Sequence, residues 1–132
     1  MTKLQGRSIY TGRVSGEALA TVMGISFFGG VDPESGVVIE RDHDLEGKSI
    51  AGKVLVFPTG KGSTVGSYTL FRLKRAGNAP LAIINAECET ITAVGCIIAE
   101  IPCVDQVSIG ELHTGQYLEV DGERGTVEVI ND

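Results

Sequence analysis

"KVLVFPTGKGSTVGSYTLFRLKRAGNAPLAIINA", residues 53–86, decides how this chain folds. It opens on a continuous apolar, β-branched run, Val54 to Phe57, of the kind buried on both faces of a sheet. Val65, Tyr68, Phe71 or Leu70, Leu73 and Ala76 then recur at helical spacing. Basic residues fill the last turn, Gly77 stands where a C-terminal cap belongs, and Pro80 follows shortly after. "PLAIINA" (80–86) reads as a second buried strand. Strand, helix and strand in so short a span predict a right-handed βαβ crossover.

Working outward, "RSIYTG" (7–12), "GEALATVM" (16–23) and "GVVIE" (36–40) read as strands. "GISFFGGVDPESG" (24–36) is a loop with paired glycines, and "RDHDLEGKSIAG" (41–52) is polar and irregular. "ETITAVGCIIAEI" (89–101) predicts a second helix and "CVDQVSI" (103–109) a short strand. The tail "GQYLEVDGERGTVEVI" (115–130) alternates around Asp121-Gly122, a β-hairpin signal. No internal repeat interrupts the pattern, and residues 1–132 are expected to form one α/β domain.

Composition narrows the function. The chain has 42% hydrophobic and 21% charged residues, as a soluble globular domain does. Its apolar runs are far shorter than the ~20 residues of a membrane span. The N-terminus lacks the apolar core of a signal peptide, so cytoplasmic residence is the expectation. A net charge of −6 argues against nucleic-acid binding. Yet no Asp or Glu occurs from Gly47 to Ala86, where Lys48, Lys53, Lys61, Arg72, Lys74 and Arg75 lie. A basic segment in an acidic chain suits a small anionic ligand or an acidic partner, although Arg72, Lys74 and Arg75 equally complement a helix C-terminus. Cys88, Cys96 and Cys103 are odd in number and match no metal or cluster ligand spacing, so buried thiols are expected and no metal on this chain.

The segment between the first strand and the helix carries the chemistry. A loop leaving the carboxyl end of a βαβ strand faces the helix N-terminus, where unpaired N–H groups and the helix dipole favour anions. Gly60 and Gly62 let the backbone approach a ligand, and Lys61 adds a charge. A nucleotide-binding P-loop is excluded, because Lys61 is followed by Gly62 and no glycine precedes it at the required distance. Ser63 is either the N-cap of the helix or a ligand contact. Gly66 stands where a capping box needs Glu, and Thr64 and Ser67 could share either role. His43 with Asp42, Asp44 and Glu46 forms either an acid–base set or a solvated loop. Asp32 reads as a turn residue.

"GISFFGGVDPESG", "HDLEGKSIAGKVLVFPTGKGSTVGS" and "APLAIINAECETITAVGCIIAEIP" resemble, in order and spacing, the small subunit of aconitase X-type dehydratases, nearest to the archaeal branch that acts on phosphomevalonate. The resemblance covers about residues 5–125. It implies a swivelling β/β/α domain like the mobile domain of aconitase, with the central βαβ unit and flanking β-hairpins. It implies a large-subunit partner that carries a 4Fe-4S cluster, and Ser63 as the proton acceptor. Gly60, Lys61, Gly62 and Thr64 would then bind a phosphorylated hydroxy acid, and with Ser63 acting as the base Thr64 could cap the helix in its place. The implied reaction removes water from (R)-5-phosphomevalonate to give trans-anhydromevalonate 5-phosphate. The same fold also serves other dehydratases, such as one for hydroxyproline, and a non-catalytic anion-binding module is the remaining alternative. Phe28 stands where this pattern commonly has Trp, Asp44 where it has Pro, and Lys61 where it often has Arg.

Overall fold

The run at 54–57 is a strand, β4 (Val54–Phe57), with all four residues buried. Leu55 and Phe57 face a core shared with the helices, while Val54 and Val56 face a core shared with a second layer of strands. A strand that serves two cores cannot alternate with polar residues, which is why its sequence is unbroken apolar. The computed structural model describes residues 2–131.

The other strands are β1 (Thr2–Gln5), β2 (Arg7–Tyr10), β3 (Arg13–Ala20), β5 (Ala82–Asn85), β6 (Cys103–Asp105), β7 (Tyr117–Asp121) and β8 (Thr126–Asn131). They form a sheet of order β1-β8-β7-β3-β4-β5-β6-β2. The predicted crossover is present: β4 and β5 pair in parallel, Val54 with Ala82 through Phe57 with Asn85, joined by α2 (Gly66–Ala76). Strand β3 belongs to both layers. Its first half pairs antiparallel with β7 and its last three residues pair parallel with β4. The helical layer comprises α2, α3 (Thr90–Ala99) and a kinked single turn, α1 (Phe27–Gly30), whose Phe27 ring meets Phe57 edge-on with centroids 5.8 Å apart. The result is two strand layers and one helical layer, the β/β/α arrangement expected.

Several local expectations change. Of the flanking hairpins, only β7–β8 is formed among the described residues; β1 and β2 are neighbours in sequence but lie at opposite edges, against β8 and β6. "GVVIE" is not a strand. Val37 and Val38 make only isolated bridges to Ser49 and Val31, within an irregular segment anchored by buried Val31, Val38, Leu45 and Ile50. Strand β1 was not foreseen.

The buried stripe of α2 is Gly66, Ser67, Thr69, Leu70 and Leu73, whereas Val65, Tyr68 and Phe71 are exposed. Close helix approach decides this. A Cβ on Gly95 of α3 would stand 3.2 Å from Ser67 Cα, and Ser67 Oγ donates to Ile91 O at 2.7 Å. Small and hydroxyl residues make that approach possible and leave the aromatics outside. Gly77 caps the helix in the left-handed conformation, as predicted.

Candidate active site

The carboxyl ends of the parallel strands and the N-termini of α2 and α3 meet at one end of the molecule. The turn from β4 to α2 is held there by the segment that leaves β3. Ile25 N–H donates to Thr59 O at 3.3 Å and Lys61 N–H to Ile25 O at 2.9 Å, continuing the β3–β4 pairing into the turn. Gly62 takes φ 98°, and a Cβ there would stand 2.5 Å from Ser26 Oγ. Glycine is needed on both counts.

Ser63 is exposed and lies three residues before the helix, not at its cap; the cap position is Val65, which has no side-chain cap. Ser63 Oγ accepts the Val65 N–H at 3.1 Å, and Ser63 O accepts the Gly66 N–H at 3.0 Å. The hydroxyl proton is donated to nothing among the described residues, nor do the amides of Gly62, Ser63 and Thr64 find an acceptor there. Three successive N–H groups before a helix N-terminus thus stand without an acceptor among the described residues, donors of the kind an anion accepts from. Thr64 does not cap the helix: its exposed side chain bonds to nothing among the described residues.

The neighbouring helix end is closed instead. Glu89, at the N-cap of α3, accepts from Ile91 N–H at 2.8 Å and Thr92 N–H at 2.7 Å. The turn around Ser63 is therefore the open donor set of the two.

Lys61 is not a free charge. Its ammonium lies 2.9 Å from Glu40, and the pair lines a cleft of about 400 Å³ with Ser26, Phe28, Gly29, Gly30 and Gly62. The basic segment does not converge on Ser63 either. Lys53 pairs with Glu17 at 2.6 Å, Lys74 donates to the Glu100 carbonyl at 3.2 Å, and Arg75 lies over the Phe71 ring. Arg72, Lys74 and Arg75 occupy the far half of α2, so they complement the helix C-terminus rather than a ligand at Ser63.

His43 is buried, with Nδ1 accepting from Leu45 N–H at 3.1 Å and Nε2 3.0 Å from Gly24 O. The accepting Nδ1 places the ring proton on Nε2, which donates to Gly24. With both nitrogens bonded to backbone, the ring secures the 24–25 segment, while Asp42, Asp44 and Glu46 are exposed. The three carboxylates are solvated as the second alternative has it, but His43 is not part of a solvated loop. Asp32 heads a turn, accepting from Glu34 N–H and Ser35 Oγ.

The three thiols do not fit a cluster. Cys96 and Cys103 are fully buried in the core beside the helices. Cys88 Sγ lies 4.0 Å from Cys103 Sγ; its bond to Cys103 and burial push the Cys88 thiol far up. The bond from Cys88 lowers the Cys103 thiol, but a bond to Cys96 and burial outweigh it. Ligand sulfurs must be thiolates, and no group of three His, Cys, Asp or Glu suited to a metal ion occurs among the described residues.

Sequence reasoning singled out Ser63 and its glycines, which the structure places in one turn before α2. It missed Glu40, Ser26, Ile25, Glu89 and Thr92, which hold the turn. Of these only Glu89 left a local signal, a carboxylate immediately before the helical pattern "TITAVGCIIA".

The fold and turn define a class: a β/β/α domain that offers an exposed serine beside open amides at a helix N-terminus. Comparison with known proteins makes that class specific, for the model of the aconitase X swivel domain matches residues 3–129, and the chain belongs to that family. It is 52% identical over 130 residues to the phosphomevalonate dehydratase small subunit of Thermococcus kodakarensis, covering 98% of each chain. The Methanosarcina acetivorans protein of that name is 53% identical over 131 residues, covering 97% of this chain and 91% of its own. Among solved structures, Thermococcus kodakaraensis aconitase X in its holo-form superposes with a TM-score of 0.98 at 50% identity, covering 99% of this chain and all of that one. A UPF0107 protein solved by NMR gives 0.88 at 48% identity, covering 98% of this chain and all of its own.

Proposed function

We propose that this chain is the small subunit of a phosphomevalonate dehydratase and that residues 1–132 act as one swivel domain against a large subunit in the cytoplasm. The observation that carries the reading is identity of about one half along nearly the whole of relatives bearing that name, in archaea as different as Thermococcus and Methanosarcina. No helix among the described residues is long and apolar enough to cross a membrane.

In this reading Ser63 takes the proton from the carbon beside the substrate carboxylate. A serine hydroxyl is a weak base until its alkoxide is stabilised. Here the Val65 N–H already points at Oγ, and the N-terminal end of α2 adds positive potential. The open amides of Gly62, Ser63 and Thr64 supply donors for a substrate carboxylate. A 4Fe-4S cluster on the large subunit would supply a Lewis acid for the departing hydroxide. Because the Lys61 charge is matched by Glu40, recognition of the phosphate falls to the large subunit. The chain alone is then inactive.

The test is anaerobic co-expression with the large subunit from the same source. Purified complex should dehydrate phosphomevalonate, while either subunit alone, unphosphorylated mevalonate and hydroxyproline should give no product. Turnover of hydroxyproline instead would replace the substrate and keep the class.

A further inference from the structure

We infer that Glu89 is a positioning residue for the serine turn, a step that rests on the dehydratase reading above. Its carboxylate closes the N-terminus of α3 through Ile91 and Thr92, and the Thr92 hydroxyl donates to the same Oε1. This closed end is the seat of the turn. A Cβ at Gly60 would overlap both Glu89 Oε1 and Thr92 Oγ1, so the Gly60 backbone rests directly on the cap. Beyond Ser63 the same helix end grips α2. Ser67 Oγ donates to Ile91 O at 2.7 Å, and Ile91 Cγ2 stands 3.4 Å from where a Gly66 Cβ would be. The first turn of α3 thus brackets Ser63, touching the chain three residues before it and again three and four residues after it.

The charge has a second consequence. A carboxylate on the α3 N-terminus offsets the positive end of that helix. The open amides of residues 62–64 remain as the donors that attract an anion. Glu89 therefore leaves attraction of the anion to residues 62–64 and itself sets where the turn sits.

The experiment compares Glu89→Ala, Glu89→Asp and Thr92→Val in the assembled complex, well below its melting temperature. Glu89→Ala should lower kcat about 10- to 100-fold, the scale of a displacement near 1 Å at a reacting group, with KM nearly unchanged. Asp is a preferred N-cap residue, so Glu89→Asp should recover most of that loss; Thr92→Val should fall between. Wild-type kcat in Glu89→Ala with only a lower melting temperature would make the cap merely structural and overturn the inference. So would a raised KM at wild-type kcat. If Glu89→Ala does not assemble, Glu89→Gln and Thr92→Val decide by the same split.

A readout free of turnover separates this from the functional reading. In the full chain alone, the amide resonances of Gly62, Ser63 and Thr64 should broaden in Glu89→Ala and sharpen again in Glu89→Asp. Unchanged resonances would refute the positioning role whatever the substrate. An inactive wild-type complex with the resonance changes present would refute only the assigned reaction.

Discussion

Ser63 Oγ accepts a hydrogen bond from the Val65 amide at 3.1 Å, so one N–H both closes the turn and faces the oxygen that the proposed mechanism uses as its base. Sequence alone set the capping and catalytic roles of this hydroxyl against each other. In the structure the hydroxyl lies before the cap and only accepts, so the turn does not occupy it as a donor.

Replacement of Ser63 by Ala follows from this. The turn loses one exposed hydrogen bond, worth about 0.5–1 kcal/mol, and the melting temperature should barely move. Loss of the base should reduce kcat by about 10²- to 10⁴-fold. Both quantities are read on one preparation of the complex. Intact turnover with a lowered melting point would return Ser63 to a structural role.

The Lys61–Glu40 pair is half-exposed on the lysine side and contributes about 0–1 kcal/mol to stability. Its importance lies in the charge it cancels. Glu40→Gln should free the ammonium, lower KM for the anionic substrate and make that KM more sensitive to salt. Lys61→Ala should raise KM, with a smaller loss of kcat than Ser63→Ala. Steady-state kinetics at two ionic strengths check both, and a Glu40→Gln complex with unchanged KM and salt response would show that Lys61 faces no substrate charge.

Gly95 tests the contact between α2 and α3. Alanine is the better helix former by about 1 kcal/mol, yet its Cβ would stand 2.5 Å from Leu70 Cδ1 and 3.2 Å from Ser67 Cα. Overpacking of this kind costs about 1–3 kcal/mol, and a backbone atom cannot step aside as a side chain can. Gly95→Ala should therefore be net destabilising in urea unfolding. A gain in stability would mean that the helices separate without cost.

The βαβ unit was legible because its strands are buried on both faces, so Val54–Phe57 and Ala82–Ile84 are written as unbroken apolar runs, with buried Asn85 closing the second strand. Ser63 was legible because the turn after such a strand has a fixed relation to the next helix. The buried face of α2 was not. Its packing sets Ser67 and Leu70 against Gly95, and hydropathy favours Tyr68 and Phe71, which stay outside. Placement of β1 and β2 on opposite edges depends on partners more than 90 residues away, Val127 for Leu4 and Val104 for Ser8. Glu40 reaches Lys61 across a separation of 21 residues that spans an irregular segment and β4, and no local pattern encodes that pairing.

The thiols make the stability of the chain depend on alkaline pH. Cys103 is fully buried; its bond from Cys88 favours the thiolate, but the bond to Cys96 and the loss of water hold the thiol protonated well above its ordinary range. Cys88 is shifted the same way by its bond to Cys103 and by partial burial. An unfolded chain releases these protons near the ordinary thiol range of about 8.5, whereas the folded chain keeps them. Above that pH the unfolded state binds fewer protons, so stability falls as pH rises. The slope approaches about 1.4 kcal/mol per pH unit for each proton that only the folded state retains. Below about pH 8 both states are protonated and the contribution is complete. Urea unfolding of the chain between pH 7 and 10 should show this decline, and Cys103→Ala should flatten it while costing stability at pH 7 through the cavity it leaves. An unchanged slope in Cys103→Ala would mean that Cys103 does not hold its proton in the folded chain.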